Sequence, residues 1–420
     1  MGSVTAILIV SIGVSLAIQT FLVYGFTRWM RASKRPLLLD PQCPEAAVVL
    51  CLRGGDPFLH RCVDALLAQD YPRYRIHFIV DHEQDPASEI LHSALARSTH
   101  SNYEVQFLSN PLGTCSLKCS SLVQAYRSLN PETVFLAQLD ADTIPHPSWL
   151  RELATGLVDE DIGAVTGNRW YAPDNPTRGA LVRHVWNAAA IVQMAWYRIA
   201  WGGTLAIKTS AIRAAKLDER WAQALCEDTM LSSQLAKIGK RVEFAPNLIM
   251  ANREDCTVRS FLPWVTRQLL TARLYHRAWP LVVVHGIASA AILIAGWCWA
   301  FVLTGMGQAW HAASVAVVMT AFQLTLLLLV LWIGRAVESA LAGAGRTEAW
   351  DRPGFIRWIW VVTITQGVYS WALVRCLLSQ STNWRGIIYR VAGPWRITME
   401  RYQPYSESVG SVPAKKQDSL

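Results

Sequence analysis

Four long apolar segments constrain the fold of this 420-residue chain more than any other feature of its sequence. The first, residues 4–26, contains no charged residue, and a helix of this length covers about 35 Å, enough to cross the hydrocarbon core of a bilayer. Two further segments, 280–303 and 312–333, have the same character. A fourth, 355–378, contains two arginines, and we leave open whether it crosses the membrane or lies in its interface.

The basic residues that follow the first segment predict its orientation. Arg28, Arg31, Lys34 and Arg35 come without an intervening acid. Because basic residues accumulate on the cytoplasmic side, the region after this segment is predicted to be cytoplasmic. A cleaved signal peptide is a weaker interpretation, because the apolar part is too long and no basic residue precedes it. Four full crossings would place the basic C-terminal tail outside, against the same rule, and this conflict stays open.

The composition bounds the class of protein. A hydrophobic content of 52% and a mean hydropathy of +0.21 are too high for an ordinary soluble enzyme. The net charge of +8 favours contact with anionic headgroups or a phosphate-bearing substrate. Nucleic-acid binding is not expected, because no basic run is interleaved with aromatic residues. The nine cysteines lack zinc-type CxxC spacing, so reduced thiols are the preferred interpretation.

The region from 45 to 255 alternates strand and helix patterns. Short apolar runs rich in β-branched residues predict strands at 46–53, 75–81, 103–108 and 133–140, and the stretches between them predict helices at 57–69, 86–97 and 117–129. This alternation predicts an α/β fold with a mostly parallel sheet covered on both faces.

Carboxylates stand at the ends of two predicted strands. Asp81 follows one strand, and Asp140 and Asp142 follow another in the sequence "LDAD". Ligands of parallel sheets bind at the carboxyl ends of the strands. Two neighbouring carboxylates at such an end are typical of a Mg²⁺ or Mn²⁺ site that also binds substrate phosphates. The alternative is that one of them caps the N-terminus of the following helix.

The order of several motifs resembles the glycosyltransferase family 2 enzymes, and most closely their ceramide glucosyltransferase branch. These motifs are "RGGDPFLHRCVDALLAQDYP", "IVDHEQDPAS", "LDAD", "WGGTLAIK" and "CEDTMLSSQLAKIG", and together they extend over residues 45–279. The C-terminal "NWRGIIYRV" is similar to the tail of those membrane enzymes.

The resemblance implies a GT-A (Rossmann-like) fold, a nucleotide-sugar donor such as a UDP-sugar, inversion at the anomeric carbon, and dependence on Mg²⁺ or Mn²⁺. Asp81 matches the aspartate that contacts the nucleoside, with Asp85 as a second partner. Lys118 matches a lysine near the nucleotide, although a solvated helix cation is an equal alternative. Asp140 and Asp142 match the metal-binding pair, with Asp142 the direct ligand and Asp140 also on the donor side.

The same resemblance assigns the acceptor side. Asp228 in "CEDT" matches the catalytic base, while the neighbouring Glu227 is open to a structural role. The glycine pair of "WGGTLAIK" allows the backbone at Gly203 to approach the sugar, or forms an ordinary turn.

One signature departs from the family pattern. The usual Gln/Arg-x-x-Arg-Trp sequence is replaced by "WVTRQ", in which Arg267 keeps the arginine position and Gln268 replaces the tryptophan. An arginine can still bind a diphosphate. Loss of the tryptophan favours transfer of a single sugar over polymerisation.

These observations predict five regions. They are an N-terminal transmembrane helix (1–27), a GT-A domain (28–260), an interfacial amphipathic helix (261–280), C-terminal transmembrane helices (281–380) and a basic tail (381–420) with a disordered end. A plain surface helix is the alternative for the interfacial segment.

The leading hypothesis is an integral enzyme of a bacterial cell membrane, with its catalytic domain in the cytoplasm, that transfers a hexose to a lipid acceptor. A processive polysaccharide synthase and an inactive membrane scaffold are the alternatives. The synthase needs more pore-lining helices than three or four segments provide, and the combined presence of the site residues argues against the scaffold.

Overall fold

The computed structural model describes residues 2–32, 35–346, 350 and 354–405. The segment predicted to be disordered, residues 408–420, lies outside the described residues.

A seven-stranded sheet forms the centre of the region between the first apolar helix and the later ones. Its strands are β1 (Ala46–Leu52), β2 (Tyr74–Val80), β3 (Tyr103–Phe107), β4 (Phe135–Leu139), β5 (Ile162–Tyr171), β6 (Thr204–Lys208) and β7 (Arg241–Asn252), in the order β3-β2-β1-β4-β6-β5-β7. Strand β6 runs antiparallel to both of its neighbours, and the other pairs are parallel. The predicted mostly parallel sheet is confirmed, and each predicted strand agrees with the observed one to within two residues.

Helices cover both faces of this sheet. Up to residue 275 the described α-helices are α1 (Gly2–Ala32), α2 (Leu59–Leu67), α3 (Pro86–Leu95), α4 (Leu117–Arg127), α5 (Trp149–Gly156), α6 (Arg178–Tyr197), α7 (Thr209–Ala215), α8 (Leu217–Trp221), α9 (Leu231–Ala236) and α10 (Val258–Tyr275). One buried cluster joins the sheet to Leu66, Leu91 and Trp149 of α2, α3 and α5, and the other joins it to Leu122 of α4 and Ile191 of α6. The predicted α/β fold is therefore confirmed.

Four of the described helices are long and apolar enough to cross a membrane. They are α1, α11 (Trp279–Gly305), α12 (Ala309–Gly343) and α13 (Phe355–Leu378). The indole of Trp299 in α11 donates to the hydroxyl of Thr5 at the start of α1, at 3.0 Å. At the other end of α1, Trp29 packs on Phe244 of the central sheet, with ring centroids 5.0 Å apart. Helix α1 therefore runs towards the sheet and α11 runs away from it.

Both ends of α13 contact the part of the chain that contains the sheet. At its start, Arg357 donates to the carbonyl of Pro176, next to α6. At its end, Arg273 of α10 donates to the carbonyls of Leu377 and Ser379, each at 2.8 Å. Both ends of the helix therefore lie beside the part of the chain that contains the sheet. This arrangement would remove the conflict between four crossings and the charge rule.

After α13 the chain returns to the central domain as a small antiparallel sheet. Its strands are β8 (Ser381–Trp384), β9 (Ile387–Gly393) and β10 (Arg396–Met399), in the order β10-β9-β8. The buried hydroxyl of Tyr389 accepts from the backbone N–H of Leu117 at 3.1 Å, and the N–H of Met399 donates to the carbonyl of Gly113 at 2.8 Å. The small sheet is thereby attached to the start of α4.

We predict that the α11–α12 turn and the C-terminal sheet lie on opposite sides of the membrane. Single cysteines would replace Trp310, which is 81% exposed near the turn, and Arg390 on β9, in a variant whose exposed Cys298 is changed to serine. An impermeant maleimide should label the first in intact cells and the second only in inverted vesicles. A cysteine in place of Asp159, whose side chain is 41% exposed, is the control, because it reports on which side of the membrane the central sheet lies. Labelling of both Trp310→Cys and Arg390→Cys from one face would contradict the arrangement.

Candidate active site

The strand register brings the predicted site residues to one edge of the central sheet. Leu139 at the end of β4 lies opposite Thr204 at the start of β6, and Thr166 of β5 lies opposite Leu205. The residues that follow β4, the last residues of β5 and those that precede β6 therefore meet. Because β1 and β2 are parallel to β4, their carboxyl ends point to the same edge.

The carboxylates of Asp140 and Asp142 are bridged by a cation that the sequence analysis did not identify. One nitrogen of the Arg169 guanidinium lies 3.3 Å from Asp140 and 3.1 Å from Asp142. Burial raises the pKa of Asp142, although Arg169 opposes this effect. Helix α5 begins only at Trp149 and its N-cap residue is Ser148, so the interpretation of either aspartate as a helix cap is wrong.

Lys118 links the strand end to the segment that carries the predicted base. Its ammonium lies 2.6 Å from Asp140 and 2.7 Å from Glu227, and its side chain is 17% exposed. Burial would raise the pKa of Asp140, but Lys118 and Arg169 together lower it below its usual value. Burial raises the pKa of Glu227 to about 7 despite the lysine. The interpretation of Lys118 as a solvated helix cation is therefore wrong, because it lies within a buried ion cluster.

Asp228 is fixed by backbone donors at the start of the turn that leads to α9. Its carboxylate accepts from the N–H of Gly202 at 2.8 Å and from its neighbour Thr229 at 2.6 Å. Burial raises the pKa of Asp228, and Lys118 partly offsets this shift. The carboxylate is thus oriented and more basic than an exposed aspartate, which suits a proton acceptor.

Of the two glycines before β6, Gly202 makes the closer approach to the site. A Cβ on Gly202 would lie 2.0 Å from the carboxylate oxygen of Glu227. At Gly203 a Cβ would instead meet the ring of Trp201, also at 2.0 Å. Both positions exclude a side chain, and the backbone of Gly202 rather than Gly203 contacts the predicted base.

Asp81 and Asp85 lie further along the same edge of the sheet and are both buried. Asp81 pairs with Arg53, which follows β1. Asp85 caps α3 by accepting from Ala87 at 2.8 Å, and it also accepts from the N–H of Gly54 at 2.9 Å. Asp85 therefore shapes the turn after β1.

The C-terminal segment covers the carboxylate of Asp81. The hydroxyl of Tyr402 donates to one oxygen at 3.0 Å, and the backbone N–H of Tyr405 donates to the other at 3.3 Å. The ring of Tyr405 also stacks on the guanidinium of Arg53, 5.6 Å from its centroid. Tyr402 and Tyr405 therefore shield the Asp81 carboxylate from solvent, and the sequence did not indicate either contact.

Arg267 of α10 is buried and faces the site. Its guanidinium lies 4.7 Å from the ring centroid of Trp384, at the end of β8. Trp264, which precedes it in the altered signature, packs against Trp186 of α6 with ring centroids 5.5 Å apart. The altered signature thus keeps its arginine at the site, and an aromatic ring from the C-terminal sheet lies beside it.

A chamber of about 340 Å³ connects most of these charged groups with the apolar helices, although Asp81 and Asp85 do not line it. Its polar end contains the carboxylates Asp140, Asp142, Glu227 and Asp228 and the cations Arg53, Lys118, Arg169, Arg267 and Arg385. Its apolar end is formed by side chains that include Leu22 of α1, Val192 of α6, Val282 of α11, Leu326 and Val330 of α12, and Val362 of α13. Charged groups and membrane-type helices therefore share one cavity.

The aspartate pair fits a divalent cation whose remaining ligands come from a substrate. Among the described ranges there is no group of three or more His, Cys, Asp or Glu side chains that could enclose a metal. Asp140 and Asp142 nevertheless both face the chamber, and Mg²⁺ and Mn²⁺ sites commonly combine one or two carboxylates with phosphate oxygens. Arg169 bridges the pair in this structure and would have to release it to such a cation.

Several residues of the site were missed by sequence reasoning. Arg53 directly follows β1, so the rule that assigns ligands to strand ends could have identified it. Arg169, near the end of β5, and Arg385, between β8 and β9, required the sheet order and the return of the C-terminal segment. All nine cysteines are free, as expected.

We predict that Lys118→Met destabilises the protein more at pH 8 than at pH 5.5. Burial raises the pKa of Glu227 to about 7, above its ordinary value of 4.5, so the folded protein binds this proton more tightly and loses stability as the pH rises through that interval. Without Lys118, an ionised Glu227 carboxylate should lower the free energy of unfolding by about 3–5 kcal/mol. A protonated Glu227 is neutral and needs no compensating cation. Melting temperatures in detergent would test this, with the exposed Lys237→Met as control; equal losses at both pH values would contradict it.

Comparison with known proteins identifies the family. A model of glycosyl transferase family 21 matches residues 5–396. Ceramide glucosyltransferase 1 of Caenorhabditis elegans is 21% identical over 238 residues, which are 54% of this chain and 50% of that protein. The probable glycosyltransferase YdaM of Bacillus subtilis (strain 168) is 25% identical over 229 residues, 51% and 52% of the two chains. The chain thus matches about half the length of these curated relatives.

Solved structures are similar to this chain only at low sequence identity. The mannosyltransferase PcManGT from Pyrobaculum calidifontis, solved with GDP-Man and Mn²⁺, has a TM-score of 0.49 and 16% identity, covering 88% of this chain and 98% of that one. The resemblance to the ceramide glucosyltransferase branch is confirmed by the family model and the curated relatives. Because the family model extends over nearly all of the sequence, the chain belongs to glycosyltransferase family 21.

Proposed function

We propose that this glycosyltransferase transfers a single hexose from a nucleotide sugar, of the UDP-sugar type, to the hydroxyl of a membrane lipid, with inversion and with a divalent cation. The observation that carries this proposal is the continuous chamber. It has a charged end at the carboxyl edge of the sheet and an apolar end between helices that are long enough to cross a membrane. A soluble acceptor would not need the apolar end.

The donor would occupy the charged end. Asp81 would accept hydrogen bonds from the nucleoside in place of those now donated by Tyr402 and Tyr405, so the C-terminal segment would move when the donor binds. Lys118 and Arg267 would interact with the phosphates, since both are cations that line the chamber, Arg267 buried and Lys118 only 17% exposed. Asp85 would support the donor indirectly, through the turn at Gly54.

Asp140 and Asp142 would hold the divalent cation, with Asp142 as the direct ligand. When bound, a divalent cation neutralises the charge that develops on the diphosphate leaving group. The aspartates follow β4, whose register with β1 and β6 fixes the position of the strand end.

Asp228 would act as the general base. The acceptor hydroxyl attacks the anomeric carbon from the face opposite the diphosphate, the bond to the diphosphate oxygen breaks, and the hydroxyl proton passes to the Asp228 carboxylate. Hydrogen bonds from Gly202 and Thr229 orient this carboxylate, while its raised pKa improves its strength as a proton acceptor. Glu227 remains paired with Lys118 and has a structural role.

The lipid would enter from the membrane and place its hydroxyl near Asp228. Helices α6 and α10 lie between the sheet and the apolar helices, and both contribute side chains to the chamber, among them Val192 and Arg267. Acyl chains would then stay among the apolar helices while the headgroup reaches the carboxylates.

One transfer assay tests both the proposed function and the role of Asp228 as the general base. Protein in lipid nanodiscs would be incubated with a panel of radiolabelled nucleotide sugars and extracted membrane lipids. We expect a labelled glycolipid from wild type and a rate at least about 100-fold lower from Asp228→Asn, because the amide cannot accept the proton. Donor affinity, measured by calorimetry, should stay close to normal in this variant.

The exposed Glu219→Gln is the matched control and should leave the rate unchanged. A labelled polymer in place of a glycolipid, or no labelled lipid with any donor, would overturn the proposed function. If Asp228→Asn lost donor binding yet kept a normal rate at saturating donor, the base would have to be another residue.

We also expect the transfer to need a divalent cation bound through Asp142. EDTA should abolish activity, and Mn²⁺ or Mg²⁺ should restore it in wild type but not in Asp142→Asn, which lacks one anionic ligand. The control is the exposed Asp159→Asn. Retention of full activity in EDTA would refute the requirement. Binding of Mn²⁺ in the presence of UDP, followed by electron paramagnetic resonance, gives a readout that does not depend on turnover.

A further inference from the structure

Two arginine side chains lie near each other at the charged end of the chamber. Arg267 is 9% exposed, and within the described part of the chain no carboxylate lies within ion-pair distance of it. Burial and the charge of Arg385 lower the pKa of Arg267 to about 10. A buried cation is unfavourable unless an anion compensates it, and the carboxylate of Asp56 pairs with Arg385 rather than with Arg267. The pair therefore indicates a binding site for an anion.

Arg385 reaches this position through an unusual turn. It is the residue between β8 and β9 that adopts a φ of 47°, followed by Gly386 with a φ of 82°. Two positive φ values in succession are typical of a tight hairpin turn in which asparagine and glycine are preferred, and an arginine is strained there. Strained residues of this kind concentrate at functional sites, where the surrounding structure holds them in place.

The surrounding contacts fix Arg385 from one side. Its guanidinium lies 3.2 Å from the carboxylate of Asp56 and donates to the carbonyl of Arg53. In return, Arg53 donates to the carbonyl of Arg385 at 3.1 Å. The Asp56 side chain is fully buried, whereas that of Arg385 remains 28% exposed and lines the chamber. One side of the arginine is thus anchored while it still faces the cavity.

We infer that the β8–β9 hairpin completes the donor site, with Arg385 and Arg267 binding the diphosphate of the nucleotide sugar between them. This inference depends on the proposed function. As the bond between the anomeric carbon and the diphosphate oxygen breaks, its electron pair stays on that oxygen, and the two guanidinium groups stabilise the resulting charge. A planar guanidinium can bind phosphate oxygens with two parallel hydrogen bonds.

The hairpin can serve this role because α13 returns the chain to the side of the sheet. The contacts of Tyr389 with Leu117 and of Met399 with Gly113 then hold the small sheet over the start of α4. Trp384, next to Arg385, packs on Arg267 and so fixes the position of one arginine relative to the other. The donor site is thus assembled from both ends of the chain.

The test is titration of the full chain in nanodiscs with UDP and with GDP, each in the presence of Mn²⁺, by calorimetry. We expect wild type to bind at least one of them and Arg385→Gln to bind it about 10- to 100-fold more weakly, as for loss of a charged hydrogen bond. Arg385→Lys should recover part of the affinity, because lysine keeps the positive charge but cannot form the two parallel hydrogen bonds of a guanidinium. In transfer assays the donor KM should rise more than the acceptor KM.

The matched control is Arg390→Gln, which changes an exposed arginine of the same small sheet that pairs with Glu400. It should bind like wild type. Equal nucleotide affinity in wild type, Arg385→Gln and Arg385→Lys would overturn the inference and leave the proposed function intact. Absence of binding by wild type to either nucleotide would overturn both. Equal weakening in the glutamine and lysine variants, with a lowered melting temperature in each, would show a purely structural role and also overturn the inference.

Discussion

Compensation of buried charge is the interaction on which the site depends. Asp140 forms ion pairs with Lys118 of α4 and with Arg169 of β5. Lys118 also pairs with Glu227 in the segment before α9. These ion pairs join four elements that are distant in sequence. Because removal of one member leaves an uncompensated buried charge, each contact constrains the others. The strand ends are thereby held so that Asp142 and Asp228 both face the chamber.

The apolar helices are linked to the same site through α6 and α10. Helix α6 packs on the sheet through its buried side chains, and it contacts α1 where the indole of Trp196 donates to the carbonyl of Leu22 at 2.9 Å. Helix α10 carries Arg267 towards the site and Arg273 towards the end of α13. A displacement of the apolar helices would therefore move residues at the polar end as well, and under the proposed function it would couple lipid access to the geometry of the site.

Much of the fold could be predicted from local pattern, and the parts that could not depend on long-range contacts. Strands β1 to β4 and helices α2 to α4 follow from apolar runs and their periodicity, and Asp140 follows from its place at a strand end. The pairing of Arg169 with the aspartates required the antiparallel insertion of β6 between β4 and β5. Arg385 and Tyr405 return to the site after some 300 residues, which no local pattern encodes. The alternative of a helix cap at one of the two aspartates failed because α5 begins only at Trp149. The alternative of a solvated Lys118 failed because distant elements enclose its side chain.

The balance of charge in the chamber indicates how donor and cation would bind. Its lining contains five cationic side chains and four carboxylates, so positive charge is in excess by one unit, and by more when Glu227, whose pKa is raised to about 7, holds a proton. The diphosphate of a nucleotide sugar carries two negative charges and Mn²⁺ carries two positive ones, so joint binding leaves this balance unchanged. Either one alone would shift it by two units in a largely buried space, which is costly. Arg169 reinforces this coupling, because it can leave the aspartates for the phosphates only when a cation replaces it. The donor and the cation are therefore expected to enter the chamber together.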